Sequence, residues 1–280
     1  MTDTSIGFLH PGAMGVSLAA STIASGQRVC WVGANRSAET RSRAEQHGLT
    51  ELGSLEELCR TCGIIVSICP PTAASDVAAS VVQQGFTGIF VDANAISPKR
   101  ARDIGSLCTG AGMSYVDASV IGGPAWSKDE TVLYLSGPQA QLVASRMSGG
   151  LLATRVIGDE LDRASALKMC YAAFTKGSTA MLCAIVAAAH ELGVHDELAR
   201  QWELDEPGSS ERTHQRVRRV TAKAWRYEGE MHEIADTLEA AGLPGGFHAA
   251  AAELYARLGD FKGRDAQPEL REVVDRLLDA

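Results

Sequence analysis

Positive charge is in short supply in this sequence. Its 280 residues carry 26 Lys and Arg against 34 Asp and Glu, a formal net charge of -8. General nucleic-acid binding needs a basic field, so that class of partner is excluded; a local basic site for an anionic ligand is not. Long hydrophobic runs are missing too. The longest, Ala180 to Ala189, falls short of the roughly 20 residues of a membrane span, so no membrane partner is expected. The first residues show no basic stretch followed by an apolar one, and no signal peptide is expected. No low-complexity segment occurs.

Cysteine is present without a pattern. The seven residues Cys30, Cys59, Cys62, Cys69, Cys108, Cys170 and Cys183 are odd in number and irregularly spaced. They read as reduced thiols of a cytoplasmic protein. Cys59 and Cys62 form a lone C-x-x-C outside any thioredoxin-like context. No second pair completes a zinc site, so no metal is expected.

What is there is enough apolar residue, 45%, for a large core. Up to about residue 155, apolar strands alternate with helices. Strands are predicted at 5–9, 28–32, 64–69, 89–92, 115–118 and 131–136. Helices are predicted at 15–25, 37–47, 55–61, 72–83 and 98–110. This is the signature of an α/β domain with a doubly wound, mainly parallel sheet. From about Asp159 the strand signals vanish. Helical patterns cover 162–192, 196–202, 211–241 and 246–258, punctuated by Gly193, Pro207-Gly208 and Leu243-Pro244-Gly245-Gly246. The expected organisation is a cofactor-binding domain over 1–155 and an all-α domain over 156–280.

The first strand runs into His10-Pro11-Gly12-Ala13-Met14-Gly15. Glycines here let a dinucleotide pyrophosphate approach the backbone and let the helix pack on the strand; the helix N-terminus then faces the phosphates. Gly12 and Gly15 occupy the second and third positions of G-x-G-x-x-G, and His10 the first. As the residue before Pro11, His10 reads as a shaper of the turn. The end of the second strand tests cofactor choice. An NAD enzyme places Asp or Glu there for the ribose 2′-OH. The strand instead ends in Asn35-Arg36-Ser37, donors suited to a 2′-phosphate, so NADP(H) is the expected cofactor of this Rossmann domain.

Six motifs now stand in order: Gly12-Ala-Met-Gly15; Asn35-Arg36-Ser37; Ile68-Cys69-Pro70-Pro71; Asp92-Ala-Asn94-Ala-Ile-Ser97-Pro98; Asp117-Ala-Ser119-Val-Ile-Gly122-Gly123; and Leu167-Lys168-Met169. Together they resemble the β-hydroxyacid dehydrogenase superfamily, which includes 3-hydroxyisobutyrate and 6-phosphogluconate dehydrogenases. The stretch from Lys223 to Ala235, followed by Ala241-Gly-Leu-Pro, resembles a less characterised branch of it. The resemblance implies that Lys168, at the start of a long interdomain helix, is the general acid/base of a hydride transfer to a small carbonyl or hydroxy compound. It implies that Cys69, Pro70 and Asn94 border the cofactor, and that Ser119, Gly122 and Gly123 grip the substrate, with Ile121 where the family has a serine. A homodimer through the helical domain is implied as well.

Tyr171 and Lys176 follow Lys168 at helical offsets and are candidate substrate contacts. The family Asn after the lysine is replaced by Tyr171 or Ala172, and a later family lysine by residues around Glu230, Met231 and His232, which makes Glu230 a further candidate. Two other readings are an imine reductase, whose relatives carry Asp or Tyr at the Lys168 position, and a non-catalytic NADPH-binding sensor. Arg212, Arg216, Arg219, Lys223 and Arg226 form a basic stripe on one helix face. A solvated face, an anionic substrate and a neighbouring subunit's acidic surface are its possible roles.

Overall fold

The computed structural model describes residues 5–279. Residues 1–4, part of the reading that no signal peptide is present, lie outside them. The chain forms two compact units, divided between Lys168 and Met169.

The first unit holds an eight-stranded sheet in the order β3-β2-β1-β4-β5-β6-β7-β8. Its strands are β1 (Ser5–Phe8), β2 (Val29–Val32), β3 (Thr50–Leu52), β4 (Cys62–Ser67), β5 (Ile89–Asp92), β6 (Ser114–Ile121), β7 (Val132–Ser136) and β8 (Ala153–Val156). All neighbours pair in parallel except β6 and β7. The helices are α1 (Ala13–Ala24), α2 (Ala38–Gln46), α3 (Leu55–Thr61), α4 (Ala74–Gln83), α5 (Pro98–Gly110) and α6 (Ala140–Met147). The expected doubly wound Rossmann fold is present. Strands β3 and β8 and helix α6 extend beyond the expected elements. β3 has three residues and little burial, and β8 carries no fully buried side chain, so neither leaves an apolar run in the sequence.

Side chains alternate across the sheet, and both faces are covered. Ile6, Ile64, Val66, Val91 and Val116 pack on one side. Ile65, Phe90 and Tyr115 pack on the other. Double burial explains why these strands read as continuous apolar runs. All seven cysteines are free thiols.

Helix α7 (Arg163–Ala172) crosses the division between the units. A π-helical turn (Ala173–Gly177) and α8 (Ser178–Glu191) continue it. By length and composition alone, Arg163–Glu191 suffices to cross a membrane, with a mean hydropathy of 1.4 over an 18-residue window. This corrects the expectation drawn from the short run Ala180–Ala189. Core helices pass the same test, and 44% of the apolar window is buried in the protein. The second unit adds α9 (His195–Asp205), α10 (Ser209–Ala240), α11 (Gly246–Arg257) and α12 (Leu270–Leu278). The unit is all-helical among the described residues.

Asp92 and Asp117 lie side by side where β5 pairs with β6. Both are buried. Desolvation raises the Asp92 pKa to about 7, against the opposing hydrogen bond from the Asn94 backbone. Desolvation also raises Asp117 to about 6, against hydrogen bonds from Ser165. Carboxyls of the unfolded chain titrate near 4. The folded chain therefore binds more protons between about pH 4 and 7, and the stability these groups contribute is lost as pH rises through that window. Melting curves should show wild type losing Tm between about pH 5 and pH 8 from this source, and Asp92→Asn losing less.

Candidate cofactor and catalytic site

The glycine turn sits at the C-terminal end of β1. A Cβ on Gly15 would collide with the His10 carbonyl oxygen and lie 2.9 Å from Ile68 Cγ2, so only glycine lets α1 pack this closely. A Cβ on Gly12 would meet nothing within 4 Å. Gly12 is the N-cap of α1 and offers no side-chain cap. By contrast α2, α3 and α5 begin on Ser37, Ser54 and Ser97, whose hydroxyls accept a first-turn N–H. The α1 terminus thus keeps its N–H groups and open space before them, as a dinucleotide pyrophosphate requires. His10 is half-buried; desolvation and the charge of Arg36 lower its pKa to about 4, so it is neutral at physiological pH. Its Nδ1 has no hydrogen-bond partner among the described residues.

At the end of β2, Asn35 adopts a left-handed conformation with φ 59°, which Asn tolerates better than most residues. The chain then turns so that Arg36 Nη2 reaches the Leu9 carbonyl at 3.3 Å. Arg36 and the glycine turn are therefore neighbours. Ser37 spends its hydroxyl capping α2, accepting from Thr40 N at 3.2 Å. The sequence shows no acid at this strand end, but Glu51 arrives from β3. Arg41 on α2 donates to it at 2.6 Å and to the Gly33 carbonyl at 2.5 Å. This pair was not legible beforehand, because β3 was not predicted and α2 has no apolar stripe to orient it.

The ends of β4 and β5 are joined by Asn94. Its Oδ1 accepts from Cys69 N at 2.6 Å, and its Nδ2 donates to Asp92 Oδ1 at 2.6 Å and Ser67 Oγ at 3.2 Å. Its amide is engaged with protein, so it sets the position of the Cys69-Pro70 turn. Burial raises the Cys69 thiol pKa to about 11.

Strand β6 runs past the paired carboxylates to Ile121. Gly122, with φ 120°, follows where a side chain would strike the Glu130 carbonyl; a Cβ on Gly123 would point into open space. Ser119 is 1% exposed, and its Oγ has no hydrogen-bond partner among the described residues. Lys168 Nζ donates to the Val120 carbonyl at 2.7 Å. Asp117 fixes the helix that presents this lysine. Its carboxylate accepts Ser165 N at 2.8 Å and Ser165 Oγ at 2.6 Å in the first turn of α7. The glycine turn, Cys69-Pro70, Gly122-Gly123 and the Lys168 ammonium thus share one edge of the sheet, at the C-terminal ends of parallel strands. Open α/β sheets bind ligands at that edge.

The remaining candidates belong to the second unit. Tyr171 is exposed. Lys176 and Glu230 are brought together as an ion pair, with Lys176 Nζ also 4.4 Å from the Tyr227 ring centroid.

The family model for the NAD binding domain of 6-phosphogluconate dehydrogenase matches residues 5–147, just over half of the chain. The chain belongs to the β-hydroxyacid dehydrogenase superfamily. Residues 189–258 of this superfamily member match a domain of unknown function, DUF1932. An uncharacterized 28.5 kDa protein of Methanothermus fervidus is 29% identical over 163 residues, a match spanning 58% of this chain and 62% of that relative. Among solved structures, a conserved protein described as structurally similar to 3-hydroxyacid dehydrogenases is 28% identical, with a TM-score of 0.67 and coverage of 92% and 97%. The 3-hydroxyisobutyrate dehydrogenase of Mycobacterium tuberculosis superposes with a TM-score of 0.70 at 19% identity, covering 98% and 99%. An imine reductase from Myxococcus stipitatus does so at 0.56 and 17%, covering 99% of each chain. At those last two identities the likeness is one of fold.

The two glycines of the turn should separate in thermal melts and cofactor titrations. Gly15→Ala overpacks the α1 contact and should cost about 1–3 kcal/mol of stability. Gly12→Ala should cost under about 1 kcal/mol yet weaken dinucleotide binding, because its methyl group fills the space before α1.

Proposed function

We propose that this superfamily member is an NADP-dependent oxidoreductase acting on a small carbonyl or hydroxy compound, with Lys168 as its general acid/base. The observation that carries this reading is the ammonium of Lys168 at the end of β6, on the same sheet edge as the uncapped start of α1. The superfamily has an NAD(P)-binding fold, and the choice of NADP rests on the charges beside the turn. Arg36 lies against the Leu9 carbonyl, and Glu51, the acid nearest the β2 end, is held by Arg41. A 2′-phosphate would meet guanidinium groups there, whereas a bare ribose hydroxyl would meet no unopposed carboxylate.

The residues of the chain divide the work. The N–H groups at the start of α1 hold the pyrophosphate, and Arg36 holds the 2′-phosphate. The cofactor supplies the hydride when bound. Lys168, anchored by Val120 O, hands a proton from Nζ to the oxygen of the carbonyl as its carbon receives that hydride. In the reverse direction it takes the proton back. The N–H groups of Gly122 and Gly123 orient an acidic group of the substrate, and the unpartnered Ser119 Oγ stands one strand residue before the Lys168 anchor.

Two measurements test this. Fluorescence titrations should show NADPH binding more tightly than NADH, and Arg36→Ala should remove about one to two orders of magnitude of that preference. Equal affinities in wild type would end the NADP reading. Lys168→Met should lower turnover by about two to four orders of magnitude with NADPH affinity unchanged; unaltered turnover would remove Lys168 from the mechanism.

A further inference from the structure

The basic stripe of α10 opens onto a concavity. Arg212, Arg216, Arg219 and Lys223, joined by Lys176, line one cavity of about 560 Å³ in the second unit. Small-molecule sites commonly fall in roughly the 300–1,000 Å³ range. Two of these cations are neutralised in place, Lys176 by Glu230 and Arg212 by Glu206. Among the described residues no carboxylate pairs with Arg216, Arg219 or Lys223. Three unopposed positive charges therefore face one volume, in a chain whose net charge is -8.

Arg216 is built into the wall. Its Nε donates to Thr179 Oγ1 at 2.7 Å, and its Nη2 donates to the Thr175 carbonyl at 2.7 Å and to Ser178 Oγ at 2.6 Å. Of the five guanidinium hydrogens, these bonds use three and leave the two on Nη1. The π-helical turn supplies part of that socket. Its carbonyls also accept from side chains: Thr175 O from Arg216, Lys176 O from Tyr255 Oη at 2.7 Å, and Ala173 O from His248 Nε2 at 3.4 Å. Such turns recur at functional sites. A guanidinium locked in one orientation loses little side-chain entropy on gripping an anion, and its planar fork matches phosphate and carboxylate geometry. The Tyr227 ring, beside the Lys176 ammonium, lines the same cavity as a partly buried wall.

We propose that this cavity binds a small polyanion, a molecule carrying two or more phosphate or carboxylate groups, with Arg216 as the fixed anchor and Arg219 and Lys223 as flexible clamps. The inference does not depend on the hydride-transfer reading, since neither Lys168 nor the glycine turn lines the cavity. Calorimetric titration of the full chain with pyrophosphate and with citrate, against chloride at matched ionic strength, tests it. Wild type should bind at least one probe saturably at one per chain, and the tighter probe distinguishes phosphate from carboxylate. The exposed double variant Arg219→Gln/Lys223→Gln should weaken that binding at least about tenfold, whereas Arg36→Ala should leave it unchanged. Absence of saturable binding overturns the proposal. So does binding that Arg36→Ala abolishes and the double variant retains, because the probe then sits in the glycine-turn site. A double variant that shifts from dimer to monomer in sedimentation, with no probe binding in wild type, would assign the face to a second copy of the chain and overturn it equally.

Discussion

The carboxylate of Asp117 holds the first turn of α7, and the geometry of the candidate site's edge follows from it. Strand and helix are tied at two rungs, each three residues apart: Asp117 to Ser165, then Val120 to Lys168. Three strand residues advance about 10 Å and three helix residues about 4.5 Å. The long lysine side chain spans the difference, so its ammonium arrives at the strand end and not beside Asp117. The clamp is built from a group that resists ionisation in the core; burial lifts Asp117 to about 6 while Ser165 and Ser136 pull the other way. Its neighbour Asp92, held by Asn94, sets the end of β5 in the same manner.

The other half of the edge is shaped by what is left out. Helix α1 has neither a capping side chain nor a Cβ at Gly12, and the missing Cβ of Gly15 brings the helix onto the His10 carbonyl. The result is a set of backbone donors with space before them. Arg36 crosses from β2 to the same turn, and a neutral His10 beneath it adds no competing charge. The proposed 2′-phosphate contact is thus separate from the proposed proton-transfer end, and each is supported by its own strand.

Much of this was legible in the sequence because doubly buried parallel strands leave unbroken apolar runs, and because Gly12, Gly15 and Asn35-Arg36-Ser37 sit where chain turns demand them. The superfamily resemblance, carried by six ordered motifs, agrees with the family match over residues 5–147. What escaped was set by contacts between residues distant in sequence. Strand β3 is too short and exposed to leave a pattern, so the Arg41–Glu51 pair beside Gly33 was invisible. Asn94 reads as a cofactor-facing amide, yet its buried side chain is spent joining two strands. Asp117 stands inside a quoted motif, but nothing local shows that Ser165, 48 residues later, is its partner. The π turn after α7 has no signal of its own in the sequence, and the side chains that bond its carbonyls, Arg216, His248 and Tyr255, come much later in the chain.

The central claim is that hydride passes between a bound nicotinamide and a substrate carbon at the β6 end. The most direct test follows the label. The protein is incubated with NADPH deuterated at the transferable C4 position and a panel of ketones, aldehyde acids and cyclic imines, and the products are read by mass spectrometry. Deuterium on the reduced carbon of a ketone or aldehyde product is the predicted result. Deuterium confined to amine products would contradict the carbonyl assignment in favour of imine reduction. NADPH binding with no deuterium in any product would contradict hydride transfer itself and leave a nucleotide-binding protein without turnover.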